Sequence, residues 1–174
     1  MSNLFRGMIF VFLSFTFTFG NSKLDILPDF IGFIMIVKGL DELYNQSDNF
    51  IKVKPIAIGL GVYTLILFIL DLLGVTSGLG YIAIILGLVY TVFLIYVTYT
   101  IIIGIIDIEK NLNASLNTEK LMSNWKLMIL FNVLAYLTLF APGIAFICLI
   151  INIVFIILYL ISFNTTKNLY YENN

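Results

Sequence analysis

Apolar residues are arranged along the chain in long stretches, and short polar segments separate these stretches from one another. A helix needs roughly 20 apolar residues to cross a hydrocarbon core of about 30 Å. We predict helices at about residues 4–20, 28–44, 55–73, 81–111, 118–140 and 144–163. The pattern therefore predicts an all-α, polytopic transmembrane helical bundle of about six helices. It would form a single integral membrane domain over residues 1–174.

The second stretch differs from the others because a proline, charges and glycines fall within it. Pro28 suits the first turn of a helix, where its missing N–H has no helical partner, and Asp29 beside it lies at the positive end of the helix dipole. The uncharged part, residues 30–37, is too short to cross a bilayer alone. Gly32 and Gly39 share roughly one face and would let another helix approach closely. We expect a short second helix, either buried in the bundle or strongly tilted, with protein around Asp29.

The first stretch allows two interpretations. It could be a signal peptide cleaved after Gly20, because Thr18 and Gly20 are small enough for the cleavage site. The polar segment before it is short, however, and the next apolar stretch follows almost at once. We therefore favour a first helix that is retained in the membrane.

The composition agrees with a lipid environment. Hydrophobic residues make up 61% of the chain and charged residues 11%, whereas a soluble domain carries roughly 25% charged residues. The net charge of −1 excludes a basic face for nucleic acid. The chain contains no histidine, the commonest catalytic base and metal ligand. Cys148 is the only cysteine, so an internal disulfide is excluded, and its apolar surroundings indicate a small core residue.

The basic residues predict the orientation, because Lys and Arg concentrate in cytoplasmic loops. With six helices, one side of the membrane would hold eight of the nine basic residues, and the opposite side would hold only Lys23. We therefore expect both termini to be cytoplasmic. The abundance of Ile, Phe, Tyr, Asn and Lys with little Ala is typical of an AT-rich bacterial genome. The predicted location is the bacterial cell (plasma) membrane, in which the chain would be multi-pass.

Three carboxylates form the first candidate ligand-binding site. The predicted topology places Asp25, Asp29 and Asp71 on the extracytoplasmic half, where they could bind a cation or an amine, because hard cations prefer oxygen ligands. In the structural alternative, Asp29 caps its helix, Asp25 pairs with Lys23 and Asp71 is hydrated at a helix end. We favour this structural alternative.

Uncharged polar residues form the second candidate site. Asn132 and Tyr136 are four residues apart on the fifth helix and so share a face, and Asn152 on the sixth helix should lie near mid-membrane. Amides in such positions usually form hydrogen bonds across helices, which is the interpretation we favour. They could also line a pocket for a small ligand. The fourth helix adds three tyrosines to this polar set, Tyr90, Tyr96 and Tyr99.

The sequence contains no GxSxG, HExxH or CxxC motif and no phosphate-binding glycine loop. We predict no enzymatic activity, no catalytic residues, no metal site and no cofactor. The first hypothesis is a non-enzymatic accessory or regulatory membrane factor that acts through a membrane protein partner. The alternative is a transport component that binds a small solute or a cation. Apart from the lipid bilayer, a membrane protein or a small solute would be the partner, and nucleic acid would not.

One segment carries a resemblance to known proteins. The sequence DILPDFIGFIMIVKGLDEL, which follows RGMIFVFLSF, resembles a class of uncharacterised small multi-spanning membrane proteins of Gram-positive bacteria with a DLLPDFIGY-like segment after the first helix. The resemblance covers roughly the first 45 residues, and Phe33 stands where the class has a tyrosine. It implies a membrane location but no chemistry. The matching positions are Asp25, Leu27, Pro28, Asp29, Phe30, Ile31 and Gly32.

Overall fold

The computed structural model describes residues 1–13, 16–20, 22–138 and 141–173, with all side chains in these ranges except those of Ser77, Tyr136 and Pro142. Within these ranges the chain forms six α-helices and one two-stranded β-hairpin. It divides into two compact units, residues 1–104 and 105–174. In chain order the elements are α1 (Ser2–Phe12), β1 (Thr16–Phe19), β2 (Ser22–Asp25), α2 (Asp29–Glu42), α3 (Asp48–Leu72), α4 (Tyr81–Leu112), α5 (Thr118–Leu137) and α6 (Pro142–Glu172).

The predicted helical architecture is confirmed in its main feature, the six helices. Three of them are long and apolar enough to cross a membrane, and they comprise Asp48–Leu72, Tyr81–Leu112 and Gly143–Glu172. The second helix is short, as predicted, with 14 residues. Helix α1 is shorter still, with 11 residues.

The predicted first helix at 4–20 is wrong in its second half. Helix α1 ends at Phe12, and β1 pairs with β2 in an antiparallel hairpin whose register runs from Thr16 opposite Asp25 to Phe19 opposite Ser22. β1 has the sequence TFTF, and β-branched and aromatic residues favour strands. Gly20 follows β1 with a φ of +59°, a conformation that glycine adopts without steric cost.

The boundaries of two further helices also differ from the prediction. Helix α3 begins at Asp48 and not at Pro55, because the Ser47 hydroxyl accepts a hydrogen bond from the backbone N–H of Asn49 at 3.2 Å and caps the helix. Pro55 therefore lies inside the helix. Helix α6 continues past the predicted end at residue 163 to Glu172, and Tyr170 on this extension is buried. The predicted end of the fifth helix, residue 140, lies outside the described residues.

In the unit of residues 1–104, glycines bring helices α1 and α2 into backbone contact. A Cβ atom on Gly7 would lie 2.6 Å from the carbonyl oxygen of Gly32, and one on Gly39 would lie 2.6 Å from the backbone nitrogen of Leu4. These distances are too short for any side chain. The structure thus confirms that Gly32 and Gly39 allow a close helix approach. It also shows that α1 and α2 run antiparallel.

Helices α2, α3 and α4 continue this unit as antiparallel neighbours. Lys54 on α3 forms an ion pair of 2.5 Å with Asp41 near the end of α2. The ring of Phe50, near the start of α3, packs on Gly104 of α4. Further along α3, the Tyr63 hydroxyl donates a hydrogen bond of 2.9 Å to the carbonyl oxygen of Leu86 in α4.

In the unit of residues 105–174, helices α5 and α6 pack against each other in antiparallel directions. The Asn124 side-chain amide donates a hydrogen bond of 2.7 Å to the Ser162 hydroxyl, and the rings of Phe131 and Phe155 stack with their centroids 5.3 Å apart. Cys148 on α6 is buried, which confirms its interpretation as a core residue.

A carboxylate fixes the loop that leads into α5. Glu109 accepts hydrogen bonds from the backbone N–H of Leu116, at 2.7 Å, and from the Thr118 hydroxyl. Helix α5 begins at Thr118, where the sequence predicted its start. The carboxylate of Glu109 therefore stabilises this loop through both of its oxygens.

Candidate functional site

Asp29 forms the centre of the best-defined polar site in the unit of residues 1–104. It lies in the first turn of α2, and its Oδ2 atom accepts a hydrogen bond of 2.8 Å from the Tyr90 hydroxyl on α4. The Tyr90 ring stacks on Tyr63 of α3 with a centroid distance of 6.2 Å and meets Phe33 edge-on at 6.4 Å. Three helices thus contribute to the surroundings of one carboxylate.

Asp29 lies beside the second half of α3, and this position explains why its carboxylate needs a hydrogen-bond partner. Phe30, the next residue, packs on Phe68 with a ring distance of 5.3 Å, and the Tyr63 ring lies against Tyr90. Asp29 is therefore level with the second half of α3, one of the helices apolar enough to cross a membrane. An unpaired charge at that height would be costly in free energy. The structure surrounds Asp29 with protein, as the sequence led us to expect.

Asp29 lies in the first turn of α2, as predicted, but it is not the N-cap residue, which is Pro28. The hydrogen bond that its carboxylate accepts comes from the Tyr90 hydroxyl. The structural interpretation of Asp29 survives in another form, in which the carboxylate joins α2 to α4. The sequence marks Tyr90 only as one of several polar residues on the fourth helix, and its contact with Asp29 spans 61 positions of the chain.

The second oxygen of this carboxylate is not engaged. The Oδ1 atom of Asp29 is buried and has no hydrogen-bond partner among the described residues. The carboxylate therefore makes one hydrogen bond, to Tyr90, and keeps one acceptor oxygen in reserve.

The other two predicted carboxylates have local partners. Asp25 Oδ1 accepts a hydrogen bond of 3.1 Å from the backbone N–H of Leu27, which shapes the turn between β2 and α2. Asp71, near the end of α3, accepts a hydrogen bond from the Thr76 hydroxyl. Over the part of the chain that the structure describes, no three His, Cys, Asp or Glu residues are grouped so that they could hold a metal ion.

The second predicted site lies on the α5–α6 pair. Because Phe131 stacks on Phe155 and Asn124 contacts Ser162, Asn132 and Asn152 stand at about the same height on their antiparallel helices. The side-chain oxygens of both are buried without a hydrogen-bond partner in the described ranges. Their oxygens thus do not make the expected hydrogen bonds across helices. The side chain of Tyr136, the third residue of this predicted site, lies outside the described part of the structure.

A small cleft lies beside the Asp29 site. It has a volume of about 250 Å³ between α3 and α4, and Tyr63 and Tyr90 are among its lining residues. Clefts that hold small molecules usually measure roughly 300–1,000 Å³, so a small solute or an ion is the largest ligand that it fits well. The sequence carries no signal that singles out this place, because Tyr63 and Tyr90 are each followed by a threonine and α4 contains further tyrosines.

Comparison of the chain with protein-family models, with curated proteins and with solved structures finds no match.

Proposed function

We propose that this chain is a multi-pass protein of the bacterial cell membrane that acts without catalysis, as an accessory or regulatory factor bound to another membrane protein. Three helices long and apolar enough to span a membrane support the location. The antiparallel order of α1 to α4 and the bias of basic residues support an orientation with both termini in the cytoplasm. The residues on the cytoplasmic side would be Arg6, Lys38, Lys52, Lys54, Lys110, Lys120, Lys126 and Lys167.

The hydrogen bond between Tyr90 and Asp29 carries the functional part of this proposal. Asp29 is the carboxylate best placed to bind a ligand, and it is used to join two helices. Asp25 and Asp71 likewise serve the turns next to them. A chain whose half-buried acids stabilise its own fold is better suited to presenting a defined helical surface to a partner than to passing a solute.

Cysteine labelling tests the location and orientation. In a Cys148→Ser background, single cysteines would replace Asn45, Lys120 or Gly78, which are all exposed. We expect a membrane-impermeant maleimide to label intact cells only at Gly78→Cys, and to label Asn45→Cys and Lys120→Cys only after the cells are opened. Labelling of Asn45→Cys in intact cells would contradict the orientation.

Native mass spectrometry of the protein, released gently from its own membrane, tests the accessory role. We expect a second protein in fixed stoichiometry with this chain. A retained small molecule other than a lipid, without any protein partner, would contradict the proposal.

One observation favours a second function, the binding of a small cation or amine by a transport component. The Oδ1 atom of Asp29 is buried without a hydrogen-bond partner among the described residues, so the carboxylate keeps one oxygen that a cation or an amine could engage. Hard cations such as Na⁺ prefer carboxylate and other oxygen ligands. The second function requires the negative charge on Asp29, whereas the accessory role does not.

The pair of variants Asp29→Asn and Asp71→Asn separates the two functions. Asparagine at position 29 can still accept the hydrogen bond from Tyr90 but carries no charge. Under the accessory role, neither variant changes the binding of Na⁺ or methylammonium to the protein in liposomes. A loss of binding confined to Asp29→Asn would establish the second function, and Asp71→Asn controls for a general loss of negative charge.

A further inference from the structure

An apolar groove runs along the outside of helices α2 and α3. It has a volume of about 400 Å³, and most of its walls are aliphatic and aromatic side chains. One lysine, Lys38, also lines the groove. Its walls include Phe30, Ile34, Val37, Ile58, Val62 and Leu65.

The dimensions of the groove match a lipid acyl chain. It extends on α2 from Phe30 to Lys38 and on α3 from Ala57 to Leu65, which at 1.5 Å per residue is about 12 Å. One leaflet of the hydrocarbon core is roughly 15 Å thick, half of the ~30 Å total. Because α3 is a candidate membrane-spanning helix, an exposed apolar groove of this length on its surface lies where acyl chains are.

Lys38 adds a charge at the end of the groove. Its side chain is exposed, and no carboxylate among the described residues lies within ion-pair distance of it. The nearest acid along the helix, Asp41, is engaged by Lys54 at 2.5 Å. In the proposed orientation Lys38 reaches toward the cytoplasmic headgroups, as lysines at helix ends do.

We propose that this groove binds one anionic phospholipid, with an acyl chain between α2 and α3 and the phosphate against the ammonium group of Lys38. The apolar walls hold the chain by burial. The uncompensated charge of Lys38 selects a headgroup with net negative charge over a zwitterionic one. This inference rests on the membrane location given in the proposed function. It does not depend on whether the protein has a protein partner.

Native mass spectrometry of the detergent-purified protein tests the site with two probes that carry identical acyl chains, phosphatidylglycerol and phosphatidylcholine. We expect the wild type to bind phosphatidylglycerol preferentially. Lys38→Gln should reduce this preference about fivefold, which corresponds to about 1 kcal/mol for one lysine at a membrane surface. Lys52→Gln is the matched control, because Lys52 is also exposed in the same unit but does not line the groove.

A second pair of variants tests the groove itself. Val62 is 53% exposed and lines it, whereas Ile66 is 52% exposed on the same helix and does not. Val62→Trp should fill the groove and lower the binding of both lipids, while Ile66→Trp should leave binding unchanged. Equal effects of Lys38→Gln and Lys52→Gln, or unchanged binding in Val62→Trp, would overturn the proposal.

Discussion

Helices α1 and α2 approach each other until their backbones touch, whereas α5 and α6 meet through side chains. In the first pair Gly7, Gly32 and Gly39 leave no room for a Cβ atom. In the second pair the contact is made by the stacked rings of Phe131 and Phe155 and by the amide of Asn124. In the proposed membrane location, lipid would give little hydrophobic drive for helix association, so close packing and hydrogen bonds would supply it. Close backbone packing dominates between α1 and α2, whereas stacked rings and a side-chain hydrogen bond join α5 to α6.

The largest effect should come from adding one methyl group to the close contact. Gly7→Ala places a Cβ atom 2.6 Å from the Gly32 carbonyl oxygen and 2.9 Å from the Ile36 nitrogen, both of which are backbone atoms that cannot turn aside. We expect a loss of roughly 3 kcal/mol or more, the upper range for overpacking, in thermal unfolding followed by circular dichroism. Gly87→Ala is the control, because nothing lies within 4 Å of its Cβ position and alanine favours helix by about 1 kcal/mol. Equal stability of the two variants would refute the tight fit.

The second effect concerns the charge of Asp29. One of its oxygens accepts a hydrogen bond from Tyr90, and the other is buried without a partner among the described residues. Asp29→Asn keeps an acceptor for Tyr90 but carries no charge, and a charge at this height is costly in free energy. We therefore expect Asp29→Asn to be more stable than the wild type in thermal unfolding at pH 7.5, and a loss of stability would contradict this.

The third effect isolates the hydrogen bond between α2 and α4. Tyr90→Phe removes the donor to Asp29 while keeping the ring contacts, and we expect a loss of about 2 kcal/mol at pH 7.5, the range for a hydrogen bond to a charged group. Tyr63→Phe, which removes a neutral hydrogen bond in the same cluster, should lose only about 1 kcal/mol. Both variants are compared with the wild type by thermal unfolding, and equal losses would contradict the distinction.

The smallest effect belongs to the α5–α6 pair. Ser162→Ala removes the hydrogen-bond acceptor of Asn124, and hydrogen bonds between membrane helices average only about 0.6 kcal/mol. We expect a change in unfolding free energy of that size. A loss as large as that of Tyr90→Phe would show that the two regions depend on hydrogen bonds equally.

The sequence predicted much of the fold because each long apolar stretch corresponds to a helix. It failed at residues 16–19, where the window for a membrane helix included the alternating TFTF of β1, although alternation with a period of two is a strand signal. It also placed the start of α3 at Pro55, because a proline is a conspicuous marker of a first helical turn. The capping role of Ser47, in contrast, depends on its hydrogen bond with Asn49 in the folded chain.

The candidate site was predictable only in part. Asp29 stands out in the sequence because it is a charge inside an apolar pattern, and the structure gives it a buried position. Its partner could not be predicted, because Tyr90 is one of several tyrosines on α4 and only the packing of α2, α3 and α4 selects it. The groove at Lys38 was likewise hidden, since it exists only where α2 and α3 lie side by side.

The shortness of α1 has a consequence for how the protein enters the membrane during synthesis. With 11 residues, α1 is about 16 Å long, roughly half of what a helix needs to cross the hydrocarbon core. Its backbone contact with α2 through Gly7 and Gly32 is available only once α2 has left the ribosome. In the proposed membrane location, we therefore expect α1 and α2 to insert together as one pair and not one after the other.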